Sequence, residues 1–187
     1  MASNLTSVPN LLTYGRVAGI PVICLLIGVG GAWGYGLAFI LYVAAAVTDW
    51  LDGYLARKWN QGSALGRMLD PIADKALVAA LLIVLAWTHA LSGWDLVPAI
   101  AIMLREILVS GLREFLGPRN VVVHVTQLAK WKTTTQLVAL GAVLLEPLFP
   151  SLGLLSDILL WLAGILTVWT GFEYYRGAWV HIGGEAA

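Results

Sequence analysis

Charge and cysteine are scarce in this sequence. Of 187 residues, only 12% are Asp, Glu, Lys or Arg, while 59% are hydrophobic. Ordinary soluble domains carry roughly a quarter charged residues, so a water-soluble globule of this length is excluded. Low hydrophobicity with high net charge is the signature of disorder, and this chain has neither. Eleven basic residues balance eleven acidic ones, so no bulk positive field draws nucleic acid, and no nucleic-acid partner is expected. The single cysteine, Cys24, has no partner for an intramolecular disulfide and lies in an apolar stretch, as a buried and unreactive thiol would. Strands of alternating polarity, the mark of a membrane barrel, are missing as well. What is abundant is apolar length, with a mean hydropathy of +0.82. The sequence is that of an integral membrane protein.

Six apolar stretches can be traced: Val17 to Gly31, Trp33 to Leu55, Met68 to Thr88, Leu96 to Leu116, Thr133 to Leu148 and Leu152 to Phe172. A hydrocarbon core about 30 Å thick takes roughly 20 helical residues, and backbone groups in lipid are satisfied only within helices or closed barrels. The expected fold is therefore all-α, with six transmembrane helices in one domain spanning residues 1–187. The first stretch lacks a convincing small-residue cleavage site and reads as a retained helix. Ahead of it, Leu5, Val8, Leu11 and Leu12 suit a short amphipathic helix lying at the interface. Lys and Arg at the span ends gather at the N-terminus, in the second-to-third and fourth-to-fifth connections and at the C-terminus. Positive residues remain on the cytoplasmic side, which puts both termini there. Most of the nine Trp residues lie near span ends, as in an interfacial aromatic belt. His89, His124 and His181 are scattered and read as loop or interfacial residues.

The segment Thr48 to Lys75 breaks the apolar pattern. Asp49 and Asp52 are spaced i, i+3, and Asp70 and Asp74 are spaced i, i+4, so each pair projects from one face of its helix. Asn60 to Ser63 form the turn between them. At 1.5 Å per residue, Asp52 and Asp70 lie at similar depths on either side of that turn, so the four carboxylates should face each other. Insertion scales charge roughly 2.5–3.5 kcal/mol for one Asp at a span centre; four together cost about 10 kcal/mol, as much as the whole stability of many domains. Protons, neighbouring cations or bound metal must offset that cost. Oxygen donors without His or Cys suit magnesium, manganese or calcium, and four carboxylates can bridge two such ions in a phosphoryl displacement. Helix caps or surface acids account for one or two of these residues but not for opposed pairs. An ion relay in a cation-coupled transporter is the alternative from another class, although the matched broken halves of transporters are missing. Gly53 and Ala56 leave room beside the backbone, for a bound group or for a neighbouring helix. Arg57 could grip a phosphate with two hydrogen bonds.

A second constellation lies further on. Arg105 and Glu106 fall inside the fourth stretch, with Arg113 and Glu114 eight residues later and the two arginines close to one face. Lys130 and Lys132 open the fifth. A buried arginine needs an anion, which either the neighbouring Glu residues or a phosphate-bearing ligand would supply.

Taken together, Asp49-x-x-Asp52-Gly53-x-x-Ala56-Arg57, eight residues, then Gly66-x-x-x-Asp70-x-x-x-Asp74 resembles the signature of the CDP-alcohol phosphatidyltransferases at every position. Outside it, Pro9-Asn10-Leu11-Leu12-Thr13-x-x-Arg16 and the later basic clusters are similar to members that use glycerol 3-phosphate as acceptor. Ala129 stands where those members have a glycine before the two lysines. The resemblance implies that Asp49, Asp52, Asp70 and Asp74 hold two divalent cations, magnesium or manganese, and that Asp74 is also the general base. It further implies that Thr48, Gly53, Ala56, Arg57 and Gly66 bind CDP-diacylglycerol. Arg105, Arg113, Lys130 and Lys132 would bind the glycerol phosphate, with Asn10, Thr13 and Arg16 as further candidates. The implied reaction gives phosphatidylglycerophosphate and CMP; inositol phosphate, serine or phosphatidylglycerol are the alternative acceptors within the family. The membrane lipid, a homodimer packed through small-residue faces, and a bacterial inner membrane with the active site facing the cytoplasm complete the expectation.

Overall fold

A computed structural model describes residues 8–59, 64–117 and 127–182; within these ranges the side chains of 8–9, 50, 52–59, 64–65, 67 and 180–182 lie outside the described residues. Six α-helices and two short 3-10 turns make up the described elements, with no strand among the described residues: α1 (Val8–Val29), α2 (Gly31–Trp59), α3 (Ala64–Trp87), α4 (Leu96–Leu116), α5 (Gln127–Leu145) and α6 (Gly153–Ile182). The architecture is the all-α one expected, and α4 has the bounds read from the sequence. Three stretches are long and apolar enough to cross a membrane, Asn10–Val29, Gly31–Asp49 and Pro150–Trp179. The other three helices also carry charged residues: Asp70 and Asp74 in α3, Arg105 and Glu106 in α4, and Lys130 and Lys132 in α5.

One expectation is corrected. Residues 8–14 are not a separate interfacial helix; they are the first two turns of a continuous α1. The amphipathic pattern is real but points the other way. Asn10, Thr13 and Arg16, spaced i, i+3, i+6, are buried, while Leu11 between them is exposed. In lipid the polar stripe turns inward because partners exist only there, and Leu11 faces out.

The chain divides into two compact units. The first comprises Met1–Leu91 and Val143–Ser151, and in it α1 packs against both α2 and α3. Gly30 and Gly31, with φ of 71° and 65°, turn the chain between α1 and α2 in a left-handed conformation that only glycine adopts without penalty. Ile23, Ile27, Leu81 and Leu85 form its dry interior. Pro21 and Pro71 lie inside α1 and α3, where each removes one backbone hydrogen bond.

The second unit comprises Ser92–Ala142 and Leu152–Ala187, with α4 packed on α6. Their close approach depends on Gly164, where a Cβ would stand 2.7 Å from the Cβ of Pro98. Ile102, Leu116, Leu160 and Ala163 are buried in this unit. Elsewhere the helices present apolar side chains outward, among them Leu25, Val29, Trp33, Ile107, Leu108 and Leu154. Such a surface is unfavourable in water and is what lipid covers.

Candidate active site

In the first unit, α1 supplies the contacts that gather the acids. Thr13 donates its hydroxyl to Asp70 Oδ1 at 2.8 Å. Arg16 donates from one nitrogen, Nη1, to Asp49 Oδ1 and to Asp74 Oδ1, the latter at 2.8 Å. Asp49 on α2 and Asp74 on α3 therefore share a single guanidinium nitrogen. The arginine side chain is 1% exposed, whereas those of Asp49 and Asp74 are 40% and 53% exposed. The cation closes the pair from the buried side and leaves the carboxylates open on the other. Three of the four predicted acids are thus tied to one helix face by two residues at i, i+3.

The remaining residues of the acidic segment divide into those placed and those not. Thr48, half-buried one residue before Asp49, returns its hydroxyl to the backbone carbonyls of Ala44 and Ala45 at 2.8 and 2.9 Å. It lines, with Gly15, Arg16, Gly19, Ala44 and Ala45, a cavity of about 200 Å³. Gly66 is buried near the start of α3. Asp52, Gly53, Ala56 and Arg57 fall within the last turns of α2, but their side chains lie outside the described residues. His124 lies outside them too, as does the side chain of His181.

The second unit holds the basic cluster. Glu106 accepts a hydrogen bond from Arg105 Nη1 at 3.3 Å and another from Lys132 Nζ. Both cations on one carboxylate leave a positive charge over, in a place where Lys132 is 5% exposed and Glu106 17%. The guanidinium of Arg113 stands over the ring of Tyr174, 5.5 Å from its centroid, a cation–π arrangement. Lys130 is exposed, two residues from Lys132, and is not brought to Glu106. The internal pairing that the sequence left open is therefore made for Arg105 and Lys132, without neutralising the cluster.

Sequence reading missed the contribution of α6. Thr167, Thr170 and Tyr174 are buried, and their i, i+3, i+7 spacing puts them on one helix face. At Gly171 a Cβ would fall 2.9 Å from Arg105 Cγ, so this glycine gives the arginine its path. Buried Gln136, one turn beyond Lys132, completes the polar lining on α5. Arg105 Nε, Gln136 Oε1 and Thr167 Oγ1 are buried without a hydrogen-bond partner among the described residues. A buried polar atom left unpaired costs about 1–3 kcal/mol, which favours a polar ligand or water beside it. The spacing on α6 was a usable signal, but threonines in an apolar helix equally bond their own backbone, as Thr170 does to Leu166.

The sequence agrees with a known family over most of its length. Residues 6–169 match the family model of the CDP-alcohol phosphatidyltransferases. The chain belongs to the CDP-alcohol phosphatidyltransferase family. It is an enzyme, a transferase of phospholipid biosynthesis. It is 43% identical over 173 residues to the CDP-diacylglycerol–glycerol-3-phosphate 3-phosphatidyltransferase of Rickettsia bellii, covering 91% of this chain and 94% of that one. Proteins of the same name from Cereibacter sphaeroides and Pectobacterium atrosepticum are 37% and 41% identical, each covering 92% of this chain and 95% and 94% of their own length.

CDP-alcohol phosphatidyltransferases are generally dependent on divalent metal. Among the described residues, no group of three or more His, Cys, Asp or Glu is close enough to hold an ion; the set described there excludes Asp52. The donor chemistry nevertheless fits such an ion. Asp49 and Asp74 are drawn onto one atom, both are open on the side away from it, and all the donors are hard oxygens.

Proposed function

We propose that this chain transfers the phosphatidyl group of CDP-diacylglycerol to glycerol 3-phosphate, giving phosphatidylglycerophosphate and CMP. The family and the names of its relatives support the reaction. The observation that carries the assignment of the site is the convergence of Asp49 and Asp74 on Arg16, with Asp70 held by Thr13. Asp49, Asp52, Asp70 and Asp74 would hold two divalent ions, magnesium or manganese, which supply electrostatic stabilisation of the pyrophosphate and of charge developing in the displacement.

The chain's own residues position the reactants. Thr48, Gly53, Ala56, Arg57 and Gly66 form the cytidine and pyrophosphate side of the site. Arg105, Arg113, Lys130 and Lys132 provide the positive charge that a phosphorylated acceptor needs. Asp74 takes the proton from the 1-hydroxyl of glycerol 3-phosphate as that oxygen attacks the diacylglycerol-linked phosphorus. The bond from that phosphorus to the bridging oxygen breaks, and CMP carries the electron pair away. Holding both reactants in line turns a bimolecular step into an effectively unimolecular one. The family match includes residues of both compact units. The distribution of Lys and Arg supports a cytoplasmic active site.

The test is CMP release by the purified chain given CDP-diacylglycerol, magnesium or manganese, and one acceptor at a time. Release with glycerol 3-phosphate alone is expected. Release with serine or inositol phosphate instead would change the acceptor, and none with any acceptor would favour an ion-coupled transporter.

A further inference from the structure

The acids raise a question that the reaction does not answer: what keeps like charges together in lipid before any ion arrives? We infer that Arg16 is a resident counter-cation that holds Asp49 and Asp74 assembled between rounds of ion binding, weakening divalent affinity and strengthening that for the pyrophosphate. This rests on the two-ion reading above and concerns how the same site is regulated by its own charge.

Three observations carry it. One nitrogen of Arg16 bonds carboxylates from two different helices. Its side chain is 1% exposed while the acids are about half exposed, so it approaches from the side opposite to any entering ion. It also belongs to the buried stripe of Asn10, Thr13 and Arg16, on which Thr13 holds Asp70 at 2.8 Å.

Charge balance gives the consequence. Two divalent ions cancel four carboxylates, so the arginine's charge is left over in the loaded site. An entering ion meets a fixed positive charge in contact with two of its ligands, and like charges at such distances repel strongly where water is scarce. The leftover charge then favours an anionic substrate. A residue that only oriented the ligands would act in the opposite direction, because removing such a partner weakens metal binding.

The experiment is manganese titration of the full chain in detergent, followed by electron paramagnetic resonance, with thermal unfolding measured with and without manganese. Arg16→Gln should melt lower than the original chain without metal and show a larger upward shift when manganese is added. Its manganese affinity should tighten about tenfold, the scale of one charged hydrogen bond, while KM for CDP-diacylglycerol rises several-fold. Arg16→Lys keeps the charge and should stay within about threefold of the original manganese affinity. Unchanged or weaker manganese binding by Arg16→Gln, or equal losses of stability with and without the ion, would overturn the inference. Should the glutamine variant not fold, tenfold weaker manganese binding by the lysine variant would overturn it as well. No manganese binding by the original chain would remove both this inference and the two-ion reading, which separates the two failures.

Discussion

Replacing Glu106 by glutamine would leave two buried cations without the carboxylate they share. Arg105 reaches that carboxylate at 3.3 Å, and Lys132 bonds the same oxygen with its side chain 5% exposed. Removing one member of a buried ion pair typically costs 3–5 kcal/mol. Glu106 keeps 17% exposure, so the loss should lie near the lower limit, about 3 kcal/mol. For a chain of this size that corresponds to a Tm lower by about 6–12 °C, at roughly 2–4 °C per kcal/mol. The same substitution raises the positive charge of the cluster, so an anion should bind it more tightly and restore part of the loss. Thermal unfolding of Glu106→Gln in detergent, with and without glycerol 3-phosphate, reads both effects. The expected result is a lower Tm without ligand and a larger upward shift with it than the original chain shows. An unchanged Tm would mean that the ion triad is not made. An equal or smaller ligand shift would mean that Arg105 and Lys132 do not meet the acceptor phosphate.

Asp74→Asn should lower CMP release by at least about a hundredfold, the smaller end of what a positioned base contributes; near-normal turnover would remove Asp74 as the base. Gly164→Ala and Gly171→Ala should separate packing from binding. At Gly164 the new Cβ meets Pro98 Cβ at 2.7 Å and its Cα at 3.1 Å, atoms that cannot turn aside, and overpacking of this kind costs about 1–3 kcal/mol. At Gly171 it meets the flexible Arg105 side chain at 2.9 Å, so Tm should fall less while KM for glycerol 3-phosphate rises. Orientation can be read by thiol labelling of intact cells carrying a Cys24→Ser background. A cysteine replacing exposed Ser92 or Ser151 should react with an impermeant reagent from outside, and labelling only after lysis would reverse the assigned sidedness.

The sequence by itself determined the solvent, the all-α class and the family. Apolar runs too long and too poor in charge for water admit only helices, because lipid offers the backbone no partner, and α4 ends where the pattern says it should. The acidic spacing was equally readable, since i, i+3 and i, i+4 place carboxylates on one face whatever surrounds the helix. Which residues answer those charges was decided by the tertiary structure. Asn10, Thr13 and Arg16 form a polar stripe that suits an interface or an interior equally well from periodicity alone, and only the packing of α1 against α2 and α3 turns it toward Asp49, Asp70 and Asp74. Glu106 could have paired with one neighbour or none; the packing gives it Arg105 and Lys132 together. Thr167, Gly171 and Tyr174 acquire meaning only beside α4. Periodicity reports which side chains share a face, but the partner across that face comes from segments distant in the chain, and long-range packing alone selects it.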